Sequence, residues 1–250
     1  MQTWRLIPLL EAPGSVQMAL DSWLLTQHLE KQHPPTLRFY TWKPAAISLG
    51  YHQNHWSAHW QQLTWQGEPL ELVRRPTGGR AVLHQGDLTY AVVTSGLSAN
   101  RLEAYKTICE FLIQGWRSLG VALQYGQAGR SYLRQANCFG TATGADLVLA
   151  DGSKLIGSAQ FRRGSGALQH GSMPLLTDAA FYQQVFEGTP TLPTLPLALP
   201  KEAIIETVMM ALIAAAGKCF AADLQVQPLS DSEWEAVLSQ SGEWGVGSGE

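Results

Sequence analysis

The chain has 250 residues, 45% hydrophobic and only 15% charged, a composition that excludes a disordered chain and supplies enough apolar surface for one sizeable core. Seventeen Lys and Arg against twenty Asp and Glu leave a net charge of −3, which speaks against a protein built to grip nucleic acid. Three scattered cysteines (Cys109, Cys138, Cys219) do not make a disulfide framework, and neither they nor the seven histidines show zinc spacing, so no metal is expected. Thr3–Leu9 reads as a strand broken by Pro13-Gly14, after which Ser15 is placed to cap a helix over Val16–Lys31. Pro34-Pro35 ends that helix, and Leu37–Trp42, Ala46–Leu49 and Leu70–Val73 read as strands. Arg74-Arg75-Pro76-Thr77-Gly78-Gly79-Arg80 turns the chain into Ala81–His84, and Leu88–Thr94 follows as a paired strand. Arg101–Leu119 is an amphipathic helix with Gly120 just past its end.

Glycines break up residues 126–144 as a loop, and Leu147–Ala150, Asp151-Gly152 and Ser153–Phe161 have the chemistry of a hairpin. Ala167–Leu175 is a further strand. Pro190, Pro193, Pro196 and Pro200 make residues 188–200 an extended connector. A helix over Lys201–Ala216, a strand at Leu224–Gln227 and a helix behind the Ser230-x-x-Glu233 capping box complete the order. The apolar run Val208–Gly217 is about half a membrane span and is flanked by Glu206 and Lys218, so it reads as a core helix. The N-terminus has no basic segment followed by an apolar core and cleavage site, so a soluble cytoplasmic protein with reduced thiols, no membrane and no nucleic-acid partner is expected. The mixed order of elements implies a single α+β domain, a mixed sheet with helices outside. The expected division is a core over 1–187, the connector 188–200, a C-terminal helical extension of the same domain over 201–241, and a loose tail over 242–250.

Three stretches carry candidate chemistry. In the first, Gly78-Gly79 lets backbone approach a ligand, its N–H groups can form an anion nest, and Arg75 and Arg80 add charge. A plain hairpin with solvated arginines is the other reading. In the second, Lys154 is one of only six lysines and sits inside an apolar strand. Alternation puts Lys154, Ile156, Ser158 and Gln160 on one face, with Gly157 and Ala159 on the other. An edge strand protected by an inward lysine is equally open. In the third, Cys138 lies in the glycine-studded loop near Lys154, whose ammonium would favour a thiolate nucleophile. Cys109 and Cys219, both on helices, read as small core residues. His84 and His170 are candidate proton carriers, or satisfied core groups.

The run Arg74–His84, the strand Lys154-Leu155-Ile156-Gly157-Ser158-Ala159-Gln160 and Gln169-His170-Gly171-Ser172 resemble the lipoate–protein ligase A superfamily in order and spacing. Met18-Ala19-Leu20-Asp21, Arg38–Pro44 and Ser48-Leu49-Gly50-Tyr51 agree with it. The resemblance runs from about Trp4 to Leu176 and implies the mixed-sheet catalytic domain shared with biotin ligases. Within that superfamily the chain is most similar to the ligase-like octanoyltransferases. They move octanoate from octanoyl-acyl carrier protein to a lipoyl-domain lysine through a cysteine thioester. Cys138-Phe139 resembles their nucleophile motif and Arg80 fits them better than the ligases, whereas Gln85 stands where many relatives carry an acidic residue and Asp146 resembles both groups.

The resemblance implies catalysis by Cys138 and Lys154 and substrate binding by Arg75, Thr77, Gly78, Gly79, Arg80, His84, Gly157, Ser158, Ala159 and His170, with no metal. It implies an acyl tail lying between the Gly78-Gly79 turn and the Gly157–Ala159 strand. The implied acceptor is a lipoyl-domain protein such as the glycine cleavage H protein or a 2-oxoacid dehydrogenase subunit. No cofactor is needed in that case. Mg-ATP enters only under the alternative, an acyl-adenylate-forming lipoate–protein ligase; a non-catalytic lipoyl-domain binding protein is the third reading.

Overall fold

The computed structural model describes residues 1–126, 146–187 and 192–246. Strand β1 (Gln2–Ala12) leads into helix α1 (Gly14–Leu29), then β2 (Thr36–Trp42) and β3 (Ala46–Leu49). A small hairpin, β4 (Thr64–Trp65) and β5 (Glu68–Pro69), precedes β6 (Glu71–Arg74), β7 (Val82–His84), β8 (Asp87–Ser95) and α2 (Arg101–Ser118). Next come β9 (Gln124–Tyr125), β10 (Leu147–Val148), β11 (Lys154–Arg163), β12 (Gly166–Pro174) and α3 (Ala179–Phe186). Helix α4 (Lys201–Cys219), β13 (Ala222–Val226) and α5 (Asp231–Ser241) close the order.

Eight strands form one mixed sheet in the order β13-β1-β2-β8-β12-β11-β10-β9, and β6-β3-β7 make a smaller second sheet. One face of the large sheet buries Phe39, Tyr90 and Ile156 against α2 and α4. The other buries Tyr40, Ala91 and Leu168 against α1 and α5. A third cluster, with Ile47, Trp60 and Phe181, lies under the small sheet. Burial of such apolar faces, at roughly 25 cal/mol per Å², is the main force holding helices to sheet. No helix among the described residues is long and apolar enough to cross a membrane.

Two helix starts show how local chemistry shapes the frame. Asn100 caps α2 by accepting from the backbone N–H groups of Leu102 and Glu103. Ser15 does not cap α1, which begins one residue earlier, at Gly14. The carboxylate of Glu71 on β6 instead accepts from the N–H groups of Gly14 and Ser15, so the cap arrives from a residue distant in sequence. The Ser230–Glu233 capping box is present at α5 as the sequence implies.

The strand expected at Leu224–Gln227 in the C-terminal part is present as β13, over Ala222–Val226. Strand β13 joins the large sheet, parallel to β1. The expected loose tail is docked as far as it is described: Arg74 N–H donates to the Trp244 carbonyl and Val246 N–H to the Leu72 carbonyl, an isolated antiparallel bridge between Val73 and Gly245. Residues 192–200 carry no regular structure, in keeping with their prolines.

A row of paired residues crosses four strands of the large sheet: Tyr40 with Thr89, Thr89 with Ser172, and Ser172 with Gly157. The next row on the same face is Arg38, Ala91, His170 and Ala159. These rows form the floor on which the candidate site is built.

Candidate active site

A cavity of about 220 Å³ lies over that floor, between the large sheet and the small one. Met18, Trp42 and Val82 give it apolar wall, and the Gly78-Gly79 turn covers part of it. Lys154 and Asp146 line it from the β10–β11 side, together with Gly157, Ser158 and Ala159. The structure therefore brings Arg75, Gly78, Gly79, His84, Lys154, Gly157, Ser158, Ala159 and His170 to one cavity. Thr77 and Arg80 do not line it; Thr77 is buried behind the turn. Cys138 lies outside the described residues.

Lys154 is buried and its Nζ lies 2.9 Å from Asp146 Oδ1. The edge-strand reading of this lysine fails, because β11 runs between β12 and β10. The simple alternation expected around it fails too. Leu147 pairs with Ile156 but Val148 pairs with Lys154, a bulge in register. Leu155 and Ile156 both enter the core, and Lys154 is turned to the cavity. Re-aiming a side chain beside a site is a common use of a bulge.

Arg75 is not a solvated arginine. Its guanidinium donates to the carbonyls of Ser48 (2.8 Å), Gly78 (2.8 Å) and Arg80 (2.7 Å), clasping the glycine turn from inside. Gly79 has φ +100°, a conformation that favours glycine, and a Cβ there would lie 2.7 Å from the Arg75 guanidinium. Across from it, Gly50 presses against the Gly79 carbonyl so closely that no side chain fits.

Both histidines are held between a carboxylate and a hydroxyl. His84 Nδ1 is 2.8 Å from Asp87 and its Nε2 is 2.8 Å from Ser48 Oγ. Asp87 also accepts from Thr89 (2.9 Å) and Ser172 (2.6 Å), and Trp42 stacks on the His84 ring. Burial pushes the His84 imidazole below its ordinary value, Asp87 opposing and the Arg75 charge adding, so the ring is neutral at pH 7. His170 Nδ1 is 2.7 Å from Asp21 and its Nε2 is 2.6 Å from Thr77 Oγ1.

Asp21 is fully buried. Burial raises its carboxyl, but Arg38 at 2.8 Å and His170 outweigh that and hold it below the usual carboxylate range. Among the cavity-lining residues no buried side-chain nitrogen or oxygen is left without a partner. The buried polar side chains of this wall are thus partnered within the protein, so an alkyl chain lying against the wall strips none of them of its partner.

The other two cysteines are separated by the structure. Cys109 is buried on α2, accepts from Gln169 at 3.3 Å, and burial pushes its thiol up to about 12, unsuited to nucleophilic attack. Cys219, expected in the core, is exposed, because α4 runs on to that residue and presents its end to solvent.

Sequence reasoning did not assign roles to Asp21, Arg38, Asp87 or Ser172. Asp21 and Arg38 carry a legible signal: a charge inside an apolar run of a sparsely charged chain needs a partner. Asp87 carries none, since an aspartate at a strand start reads as a turn residue. It supplies the carboxylate for His84, while Gln85 accepts from the Asp178 N–H at 2.7 Å.

Residues 13–193 match the lipoyl protein ligase A/B catalytic domain. The octanoyltransferase LipM of Bacillus subtilis is 40% identical over 191 residues, covering 71% of this chain and 67% of its own. LipM of Kyrpidia tusciae is 39% identical over 189 residues, covering 71% and 68%. A T. acidophilum protein with bound lipoic acid shares the fold, with a TM-score of 0.76 and 22% identity over 97% of this chain and 96% of its own. A lipoate-protein ligase A bound with ATP does so as well, with a TM-score of 0.77 and 23% identity over 97% and 95%. The chain belongs to the lipoyl protein ligase A/B catalytic domain family.

Proposed function

We propose that the protein is an octanoyltransferase of lipoate biosynthesis, moving an octanoyl group from octanoyl-acyl carrier protein to the lysine of a lipoyl-domain protein. Similarity of 36–40% to curated octanoyltransferases over some 70% of the chain supports this. The observation that carries it is the composition of the cavity: a buried Lys154–Asp146 pair at one side of a wall whose buried polar side chains are partnered within the protein. That arrangement suits an uncharged acyl chain with its reacting carbonyl near a fixed ammonium.

In this reading Cys138 is the nucleophile. Its thiolate attacks the carbonyl of the donor thioester, the carbonyl oxygen takes the negative charge, and the carrier's thiol leaves with a proton. The Lys154 ammonium, held in place by Asp146, stabilises that oxyanion. The neutral amine of the acceptor lysine then attacks the acyl-cysteine, forming the amide, losing a proton and restoring the thiolate. A thioester is already activated, so transfer proceeds without nucleotide or metal. A cytoplasmic location, where thiols stay reduced, suits a cysteine nucleophile.

Incubation with octanoyl-acyl carrier protein and an apo lipoyl domain, with and without ATP, tests the reading. Transfer without ATP is expected. Modification only from free octanoate and Mg-ATP would install the ligase instead.

A further inference from the structure

We propose that His170 is a positioning residue for this acyl transfer: through the Thr77 hydroxyl it pins the Gly78-Gly79 turn over the cavity, and it does not act as the base. The part about catalysis rests on the transferase reading; the pin itself stands on hydrogen-bond geometry.

Asp21 Oδ1 accepts from Arg38 at 2.8 Å, and Oδ2 accepts from Tyr40 OH at 3.0 Å. A carboxylate between such donors is ionised and can only accept, so the hydrogen shared with His170 at 2.7 Å sits on Nδ1. Its Nε2 is held in turn by Thr77 Oγ1, 2.6 Å away. A general base needs a ring nitrogen aimed at the proton it removes, and both nitrogens of His170 are engaged by protein groups, Asp21 on one side and Thr77 on the other.

The same bond places Thr77, and Thr77 begins the turn. Three ties converge there. Arg75 clasps the carbonyls of Gly78 and Arg80. The Thr77 carbonyl accepts from Tyr51 N–H at 2.9 Å, bringing the Gly50 segment against Gly79. His170 supplies the third, which links the turn to the large sheet's β12 and, through Asp21, to α1. Loss of this tie loosens the turn that covers the acyl chain, while the reacting groups around Lys154 stay in place. The consequence falls on substrate binding rather than on chemistry.

Thr77→Val tests this, being nearly isosteric and leaving Asp21 and His170 paired; Thr77→Ser keeps the hydroxyl. For Thr77→Val, KM for the octanoyl donor should rise about tenfold, as for the loss of one good hydrogen bond, with kcat within about twofold of wild type. Thr77→Ser should restore KM. Amide hydrogen exchange at Gly78, Gly79 and Arg80 should quicken in Thr77→Val and not in Thr77→Ser, a readout independent of any activity. Unchanged exchange in Thr77→Val would overturn the pin. Faster exchange with unchanged KM, or a fall in kcat alone, would overturn the positioning role. A wild-type protein that transfers no octanoyl group would sink the transferase reading, while the exchange experiment still decides the pin.

Discussion

Asp21 and Asp146 are both buried aspartates paired with a cation, yet Asp21 is sealed behind the cavity wall whereas Asp146 faces into the cavity. Asp21, on α1, collects its donors from two strands: Arg38 and Tyr40 on β2 and His170 on β12. Its pair with Arg38 ties a helix to a sheet. The Asp146 pair ends at the bulge that turns Lys154 toward the cavity. Similar ion pairs thus lie behind the wall in one place and at the proposed reaction centre in the other, and the distinction lies in which of them an incoming molecule can touch.

Breaking the sealed pair should have the largest effect. Asp21→Ala leaves the Arg38 charge buried and the His170 N–H without its acceptor, and should destabilise the protein by about 3–5 kcal/mol. Urea unfolding measures it. Breaking the cavity pair should invert the pattern. Lys154→Ala lowers transfer by about 10²–10³-fold, through loss of the oxyanion partner. Its thermal midpoint should fall less than that of Asp21→Ala, because water in the cavity can reach the remaining Asp146 carboxylate. Near-wild-type transfer by Lys154→Ala would erase the difference between the two pairs.

A smaller effect is expected where the turn is held by contact rather than by charge. In Gly50→Ala the new methyl collides with the Gly79 carbonyl, and the overpacking should cost about 1–3 kcal/mol and raise KM for the donor. An unaltered KM would mean that the turn does not touch the acyl group.

Sheet, helices and glycine turn were readable because each follows from neighbours in sequence: period-two runs, a cap at Ser230, prolines that forbid regular structure. The cap of α1 was not, because Glu71 reaches Gly14 across the fold. The direction of Lys154 was hidden for a similar reason. Its strand alternates correctly as far as Ile156, but the bulge against Leu147 and Val148 depends on a partner strand. In the site, the glycines and Lys154 stood out by composition. Of the histidines' carboxylate partners, Asp21 stood out as a charge in an apolar run, but its pairing with His170 appears only when β12 and α1 come together, and Asp87 gave no signal.

The mildest perturbation concerns a third pair, Arg5–Glu233, neither of which lines the cavity. Hydrogen bonds from Arg5 at 2.7 and 2.8 Å, outweighing burial, bring the Glu233 carboxyl down to about 2. Its folded value lies below its unfolded one, so its stabilisation is complete above about pH 5 and fades as pH falls toward 2. Glu233→Gln should therefore flatten the acid limb of the stability curve between those values, with little effect on transfer at pH 7. Fluorescence of Trp234 on α5, followed against pH, reads it. A limb as steep as wild type would place the acid sensitivity elsewhere.

In the proposed mechanism a thioester on Cys138 carries the acyl group. Intact-protein mass spectrometry after mixing with octanoyl-acyl carrier protein and no nucleotide reads that intermediate. One octanoyl adduct is expected, mapped to Cys138, labile to neutral hydroxylamine, discharged on adding an apo lipoyl domain, and missing in Cys138→Ala. No adduct, together with full ATP-dependent activity of Cys138→Ala on free octanoate, would contradict it.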